Sequence, residues 1–481
     1  MNNEYEPSFT QSLLTFTVIV LTIGVGLFCL EIALHSLMLI CICIAATSAW
    51  ILTKKSGFKP IRLAMGRGIQ GALPAIYIFI LIGILIAAFI QSGTVAALIY
   101  YGLEFISPSF FLPAGLVLCS FMSLATGTSW ATVGTVGLVL MGIGEAMNIP
   151  LPIVAGMIVS GACFGDKMSP MSDTTNLAAM SSGTDLFRHI KSMLYTTAPS
   201  YFLTLVIFTI IGLNYVDAVL PQEDLQEILT GITNTYLINL ICLLPFLVML
   251  LMSIKKISAE VAMMCAAIVA IVLAIFMQGS EFTSVLNSLH SGGIYDTGVD
   301  ALDQVFARGG IASMMWTLSL ALMALSLGGI LSNFGFLRVL IAGILSRIKA
   351  AISLVATTII GSIAGNITMG DAYMSIILGG QLFGDAYDKH NIDRSVMSRS
   401  LEEGATLTTV LIPWTTGGAF FSASLGIEVI DYAPWALLNW INPLLSVGLF
   451  YIGAKIYTNN PLCPASFTAD DIEESEPYNA K

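Results

Sequence analysis

Long apolar runs recur along this chain and restrict it to a membrane environment. Stretches that are hydrophobic or nearly so occupy residues 13–30, 74–90, 195–213, 236–252 and 261–277. A helix needs about 20 apolar residues to cross a bilayer. Only 10% of the 481 residues are charged, whereas a soluble domain has about 25%. We therefore expect an all-α polytopic integral membrane protein with roughly 11–13 hydrophobic segments, surrounded by the lipid bilayer.

The basic residues predict the orientation in the membrane. Loops rich in Lys and Arg stay on the cytoplasmic side. Five basic residues cluster after the second apolar run: Lys54, Lys55, Lys59, Arg62 and Arg67. We expect a bacterial cytoplasmic (inner) membrane protein with both termini in the cytoplasm, ending in a solvated acidic tail at 458–481. The net charge of −11 does not indicate a nucleic-acid partner.

A polar segment at residues 161–176 interrupts this apolar background. It contains Asp166, Lys167 and Asp173, together with Pro170 and several hydroxyl side chains. A charge at membrane depth costs about 2.5–3.5 kcal/mol on insertion scales, so such residues usually face a partner or a polar cavity. The segment is therefore the first candidate for a functional site.

The second half of the chain repeats this pattern at a constant spacing. Gly161 and Pro170 have counterparts at Gly404 and Pro413, each 243 residues later. The similarity extends upstream, where 91–93 matches 333–335 at an offset of 242. Residues 123–130 match 362–369 at an offset of 239. We infer a duplicated unit.

Charges in the turns indicate that the two repeats have opposite orientations. The second repeat has basic residues where the first has uncharged turns at 107–109 and 148–152; these are Arg347, Lys349, Lys389, Arg394 and Arg399. Equivalent turns would then lie on opposite sides of the membrane. The expected organisation is a helix pair at 1–60, repeat one at 67–192, connecting helices and an external loop at 193–307, an inverted repeat two at 308–430, a last helix at 431–457, and the tail.

Gly and Pro inside apolar segments predict two broken helices in each repeat. Such breaks leave backbone groups free to meet an ion and are typical of secondary transporters. The first pair of breaks contributes Thr126, Thr128, Ser129, Asn366, Thr368 and Asp371. The second pair contributes Asp166, Ser169, Asp173, Thr174, Thr175, Asn176, Glu402, Glu403, Thr415 and Thr416. Carboxylate, hydroxyl and amide oxygens are the donors that hard cations prefer, although this does not select Na⁺.

Several of these residues have a structural interpretation as well. The alternatives are an Asp166–Lys167 ion pair in a loop, Asp173 as a helix N-cap without an ion, and salt bridges from Glu402 and Glu403 to Arg394 and Arg399. The sequence leaves these alternatives open.

The segment 165–178 (GDKMSPMSDTTNLA) resembles the signature of the NhaC family of bacterial Na⁺/H⁺ antiporters. Segments 373–383, 398–408 and 411–414 resemble the pattern of the family's second half, and the resemblance spans about residues 67–455. It implies cation/proton exchange and an inverted-repeat architecture. The motifs carry over to Asp166, Ser169, Asp173, Thr174, Thr175, Asn176, Glu402 and Glu403. The chain departs from the pattern at 415–418 and 379–383, and some relatives exchange malate and lactate with Na⁺ and protons.

The resulting expectation is a Na⁺/H⁺ antiporter that works by alternating access, with no cofactor beyond the transported ions. One carboxylate, Asp173 first and Asp166 second, would hold either Na⁺ or a proton. The alternative is a Na⁺-coupled organic-acid antiporter that holds a small carboxylate at Thr415, Thr416 and Asn366. We do not expect an enzyme, because candidate nucleophiles such as Ser129 have no histidine nearby in the sequence. A homodimer is one option for the oligomeric state.

Overall fold

The computed structural model describes residues 6–53, 57–71, 73–105, 108–215, 222–255, 257–345 and 351–459, without 294, 296, 298, 300, 301, 304, 305 and 308. Several positions named in the sequence analysis lie outside these ranges: Lys54, Lys55, Arg347, Lys349 and most of the acidic tail.

The described residues form helices joined by short turns, with no strand among them. The first half contains α1 (Phe9–Phe28), α2 (Leu34–Leu52), α3 (Lys59–Gly71), α4 (Leu73–Gln91), α5 (Thr94–Phe105), α6 (Pro108–Thr126), α7 (Ser129–Ala146), α8 (Leu151–Met168), α9 (Asp173–Ser182) and α10 (Leu186–Leu213). The second half contains α11 (Gln222–Thr235), α12 (Leu244–Ile254), α13 (Ala259–Phe276), α14 (Phe282–Ser291), α15 (Ile311–Asn333), α16 (Phe336–Leu345), α17 (Ala351–Met369), α18 (Ala372–Lys389), α19 (Arg394–Thr409), α20 (Thr416–Leu425), α21 (Val429–Tyr432) and α22 (Leu437–Asn459).

Seven of the described helices are long and apolar enough to cross a membrane, or up to ten spans if each of three sharply bent helix pairs counts as one. Two shorter apolar helices cover residues 260–276 and 353–369. The expectation of an all-α polytopic membrane protein with broken helices is confirmed.

Equivalent backbone features recur at an offset of 243 residues. Gly127 and Gly370 both have positive φ, 72° and 69°, at the first break of each repeat. Asn148 and Asn391 also have positive φ, 54° and 51°, although residues other than glycine rarely adopt positive φ. Helices α6, α8 and α9 begin 243 residues before α17, α19 and α20. The two repeats therefore share one local fold.

The offset of 239 expected for the first break is wrong. The Ser123 hydroxyl donates to the Ala162 carbonyl at 2.7 Å, and the Asn366 amide donates to the Ala405 carbonyl at 2.6 Å. Both the donors and the acceptors are 243 residues apart, so Ser123 corresponds to Asn366. Short Ser/Gly/Thr patterns match at several registers, and only these contacts distinguish between them.

Helices α4 and α15, which occupy equivalent places in the two repeats, run in opposite directions. Gly83 in α4 approaches Gly310 at the start of α15, with 2.6 Å between its virtual Cβ and the Gly310 oxygen. Gly309, just before α15, approaches Ile86 and Ala87 further along α4, whereas Gly83 also approaches Met314 inside α15. Earlier positions of α4 thus meet later positions of α15. This arrangement agrees with the inverted topology that the turn charges predicted.

The contact between α3 and α15 provides a stability test. A methyl group at Gly68 would lie 2.2 Å from the Leu325 oxygen and 2.8 Å from the Gly329 Cα, whereas one at Gly66 on the same helix meets nothing within 4 Å. We expect Gly68→Ala to lower the free energy of unfolding by about 1–3 kcal/mol, because the added methyl group overpacks the helix contact. Gly66→Ala should be neutral or slightly stabilising, because Ala favours helix. Melting temperatures of the two purified variants in detergent check this, and equal values would contradict the close packing.

Candidate functional site

Four helix breaks, two from each repeat, form the centre of the molecule. They lie at residues 127–128, 169–172, 370–371 and 410–415. In repeat one, a Cβ at Gly127 would lie only 2.9 Å from the Met171 Cβ, so the first two breaks touch. In repeat two, the Thr416 N–H donates to the Gly370 carbonyl at 2.8 Å. Each pair of breaks thus brings free helix ends together within apolar surroundings.

Asp166 lies in the last turn of α8, just before the break at 169–172, and is only 5% exposed. The Ser129 hydroxyl, at the start of α7, donates to its Oδ2 at 2.6 Å. Its Oδ1 is buried and has no hydrogen-bond partner within the described part of the chain. The carbonyl end of a helix carries negative partial charge, so a carboxylate here gains no help from the helix dipole. Asp166 is therefore a strong candidate to hold a proton or a cation.

Asp371 occupies the first break of repeat two and is also 5% exposed. It is the N-cap of α18, where its Oδ1 accepts from the Met374 N–H at 3.2 Å. The Thr416 hydroxyl, in the first turn of α20, donates to its Oδ2 at 2.9 Å. Helix N-termini favour a negative charge. The predicted Asp371 and Thr416 thus lie together.

Asp173 joins the two repeats. It is exposed at the start of α9, and the Tyr373 hydroxyl of α18 donates to its Oδ2 at 2.5 Å. Asp173 also interacts electrostatically with both Asp166 and Asp371. The N-cap expected at Asp173 is instead Ser172, whose hydroxyl accepts from the Thr175 N–H. The sequence analysis did not select Tyr373, because a tyrosine in an amphipathic helix carries no distinctive pattern.

Glu402 and Glu403 lie in a separate buried cluster, in the middle of α19 rather than at its start. The Glu403 Oε1 is 3.8 Å from both the Lys167 Nζ and the Arg399 Nε, and it accepts from the Thr196 hydroxyl at 2.6 Å. Lys167, Arg399 and both glutamates are at most 1% exposed. Arg399, used above as a turn charge, is therefore buried in α19. The expected salt bridge between Glu403 and Arg399 is present. The expected ion pair between Asp166 and Lys167 is not, because Lys167 pairs with Glu403 instead.

His189 of α10 completes this cluster and was missed by the sequence analysis. Its Nε2 is 2.8 Å from the Glu402 Oε2, and its Nδ1 is 2.7 Å from the Ser398 Oγ. The other Glu402 oxygen, Oε1, accepts from the Thr175 hydroxyl at 3.1 Å. This serine–histidine–glutamate chain is fully buried. It connects α10 and α19 to the first turn of α9, and a lone histidine gave no sequence signal for it.

Most of the remaining predicted residues donate hydrogen bonds to other groups of the protein, although the buried Asn366 Oδ1 has no partner among the described residues. Ser169 donates to the Leu124 carbonyl, Asn176 to the Pro170 and Ser172 carbonyls, Thr368 to the Ala364 carbonyl, Asn366 to the Ala405 carbonyl and the Thr408 hydroxyl, and Thr126 weakly to nearby carbonyls. Thr415 caps α20 by accepting from the Gly418 N–H and donates to the Thr409 carbonyl. Thr128 lies at the N-cap position of α7, and the Thr174 Oγ1 lies 3.5 Å from the Glu402 Oε1. These contacts hold the breaks in place.

The described residues include no group of three or more His, Cys, Asp or Glu side chains arranged to hold a metal ion. A cation at Asp166 or Asp371 would therefore draw on one carboxylate together with hydroxyl and carbonyl oxygens. Ser129, Thr416 and the free carbonyl ends of the broken helices are of this type. Such mixed oxygen sets suit a hard cation.

Comparison with known proteins now decides the family. The family model described as "Na+/H+ antiporter family" matches residues 161–454, which contain both second breaks. The chain belongs to this family. It is 36% identical to the Na⁺/H⁺ antiporter NhaC of Alkalihalophilus pseudofirmus over 446 residues, covering 92% of this chain and 96% of that protein.

Two further relatives carry other substrate names. The malate-2H⁺/Na⁺-lactate antiporter of Bacillus subtilis is 37% identical, covering 84% of this chain and 86% of the relative. The arginine/ornithine antiporter ArcD of Halobacterium salinarum is 32% identical, covering 95% of each. The expected membership of the NhaC family is confirmed, and the family is one of antiporters rather than enzymes.

The buried charge cluster of this antiporter can be tested through stability. Lys167→Met removes one of the positive charges beside the buried Glu403 carboxylate. We expect the free energy of unfolding to fall by about 3–5 kcal/mol. Adding Glu403→Gln should restore much of the loss, because the stranded charge is gone. Arg188→Gln, which breaks a partly exposed pair with Asp393 at 3.6 Å, should cost at most about 1 kcal/mol. Melting temperatures of purified variants measure this, and a Lys167→Met value equal to that of Arg188→Gln would refute it.

Proposed function

We propose that this protein exchanges cytoplasmic Na⁺ for external H⁺ by alternating access, in a bacterial cytoplasmic membrane with both termini inside. One observation carries the proposal. Asp166, Asp371 and Asp173 stand together at the helix breaks, and no Lys or Arg salt bridge reaches them among the described residues. Buried carboxylates without a cationic partner must be neutralised by a proton or a bound cation.

The arrangement favours Asp166 over Asp173 as the exchanging carboxylate. Asp166 is buried, lies at a helix carbonyl end and has one oxygen without a hydrogen bond. Asp173 is exposed and its oxygens accept from the Thr174 N–H and the Tyr373 hydroxyl. We assign Asp173 to the entrance of the site. Mutually exclusive binding of Na⁺ and H⁺ at Asp166 would couple the two flows.

The Asp173–Tyr373 hydrogen bond suggests how access could alternate. It joins α9 of repeat one to α18 of repeat two, and Asp173 interacts electrostatically with the buried Asp166 and Asp371. Movement of one repeat against the other would break or remake this contact, as inverted-repeat transporters require. Opening of the contact would then expose Asp166 to one side of the membrane.

An organic-acid antiporter remains the alternative, because the relative named as a malate-2H⁺/Na⁺-lactate antiporter is 37% identical. The site chemistry does not favour an anionic substrate. A carboxylate substrate would be repelled by the negative charges of Asp166, Asp371 and Asp173, and the Thr415 hydroxyl assigned to it already caps α20. Sodium and protons suit this environment better.

The exchange is tested in liposomes that contain the purified protein and carry an imposed pH gradient. We expect uptake of radioactive sodium without any organic substrate, and its loss by at least about a hundredfold in Asp166→Asn, because the exchanging charge is removed. Glu428→Gln is the matched control, since Glu428 is exposed and its side chain makes no cap hydrogen bond. Flux that requires malate, lactate or arginine would overturn simple antiport. Full flux in Asp166→Asn would overturn the assignment of that residue.

Thr416 tests the role of Asp371 more finely. Thr416→Val removes the hydroxyl that donates to Asp371 while keeping the shape of the side chain. A hydrogen bond to a charged group contributes about 1.5–3 kcal/mol, so we expect a rise of about tenfold or more in the Na⁺ concentration for half-maximal exchange. Thr416→Ser keeps the hydroxyl and should retain nearly normal exchange. Equal behaviour of the two variants would exclude the hydroxyl from the site.

A further inference from the structure

A cavity lies at one end of the helix bundle, and its lining includes Met374, whose N–H donates to Asp371. It has a volume of about 470 Å³ and is formed by α3, α15, α16, α18 and the segment before α1. Its polar part contains Arg67, Arg338 and Asn333, and its apolar part includes Leu63 and Ile377. Nothing in the proposed exchange of Na⁺ and H⁺ uses these residues.

The cavity lies at the depth of lipid headgroups. Helix α15 has 23 residues, about 34 Å at 1.5 Å per residue, which is enough to cross the hydrocarbon core. Asn333 is its last residue, so this end of the cavity lies at the membrane surface. The basic cluster that includes Arg67 predicts the cytoplasmic surface, where anionic lipid headgroups attract basic residues.

The charges in the cavity are not balanced. The Arg67 Nη1 donates to the neutral Asn333 Oδ1 at 3.1 Å, and the Arg338 Nη2 pairs with the Glu6 Oε1 at 2.9 Å. The Arg338 Nε is buried and has no hydrogen-bond partner in the described ranges. Among the described residues that line the cavity, two guanidinium groups face one carboxylate, Glu6, which pairs with Arg338. One positive charge and unused N–H donors remain in this described lining. Guanidinium donors match the geometry of a phosphate group.

We propose that this cavity binds a phosphate group, presented by an anionic phospholipid of the cytoplasmic leaflet. The phosphate would lie between Arg67 and Arg338, and an acyl chain would follow the apolar lining beside Leu63 and Ile377. The amphipathic lining favours a lipid over a free ion, since inorganic phosphate would leave the apolar part unused. The phosphate contacts would come from Arg67 and Arg338, which the proposed Na⁺/H⁺ exchange does not use.

Native mass spectrometry of the detergent-purified protein with phosphatidylglycerol or phosphatidylcholine tests the proposal. We expect preferential binding of phosphatidylglycerol, weakened about fivefold by Arg67→Gln or Arg338→Gln, since a basic residue near the membrane surface contributes about 1 kcal/mol. Arg62→Gln is the matched control, because Arg62 is exposed on the same helix and does not line the cavity. Glu6→Gln should strengthen binding, because it removes the competing carboxylate.

The outcomes separate the possibilities. Opposite effects of Glu6→Gln and Arg338→Gln support a phosphate site, because general damage to the fold would weaken binding in both. Equal weakening by Arg62→Gln would indicate attraction to surface charge and overturn the site. A second titration uses inorganic phosphate as the competitor. If it displaces phosphatidylglycerol in an Arg67-dependent manner at equal concentration, the site takes free phosphate and the lipid source is wrong.

Discussion

The pairing of Lys167 with Glu403 determines how the charges at the centre of this protein are distributed. Asp166 and Lys167 are neighbours in the chain, yet only Lys167 joins the fully buried cluster of Glu402, Glu403 and Arg399. In that cluster two cations face two carboxylates. Asp166 accepts a hydrogen bond from the Ser129 hydroxyl but has no Lys or Arg salt bridge among the described residues. Because Lys167 pairs with Glu403, the Asp166 carboxylate must be neutralised by a proton or a cation from outside the protein. The proposed exchange rests on this difference.

The two repeats hold their helix breaks in the same way. Equivalent breaks are held by equivalent contacts, such as Ser123 to Ala162 and Asn366 to Ala405. The side chains at the breaks differ, however. Repeat one has Asp166 and Asp173 where repeat two has Thr409 and Thr416, and Asp371 stands where repeat one has Thr128. The backbone is therefore symmetric while the charges are not, so the proposed ion site belongs to both repeats without being duplicated.

Much of the fold was predictable because membrane insertion imposes strong, local rules. Apolar length indicated the spans, Gly and Pro indicated the breaks, and the offset of 243 between Pro170 and Pro413 indicated the repeat. The register at 123–130 failed because small polar residues match at several offsets. Arg399 was misplaced because a basic residue predicts a cytoplasmic turn only when it is exposed, and burial is a property of the packed helices.

The sequence by itself determined the membrane class, the family motif and the chemical types available at the breaks, because these depend on composition and on short segments. Only the tertiary structure decided which residues meet. It paired Lys167 with Glu403 rather than with its neighbour Asp166. It also paired Asp173 with Tyr373 across the repeats, and His189 with Glu402. The last of these contacts joins residues 213 positions apart. Charge pairing inside a membrane depends on the distances between helices, and no local pattern in the chain encodes those distances.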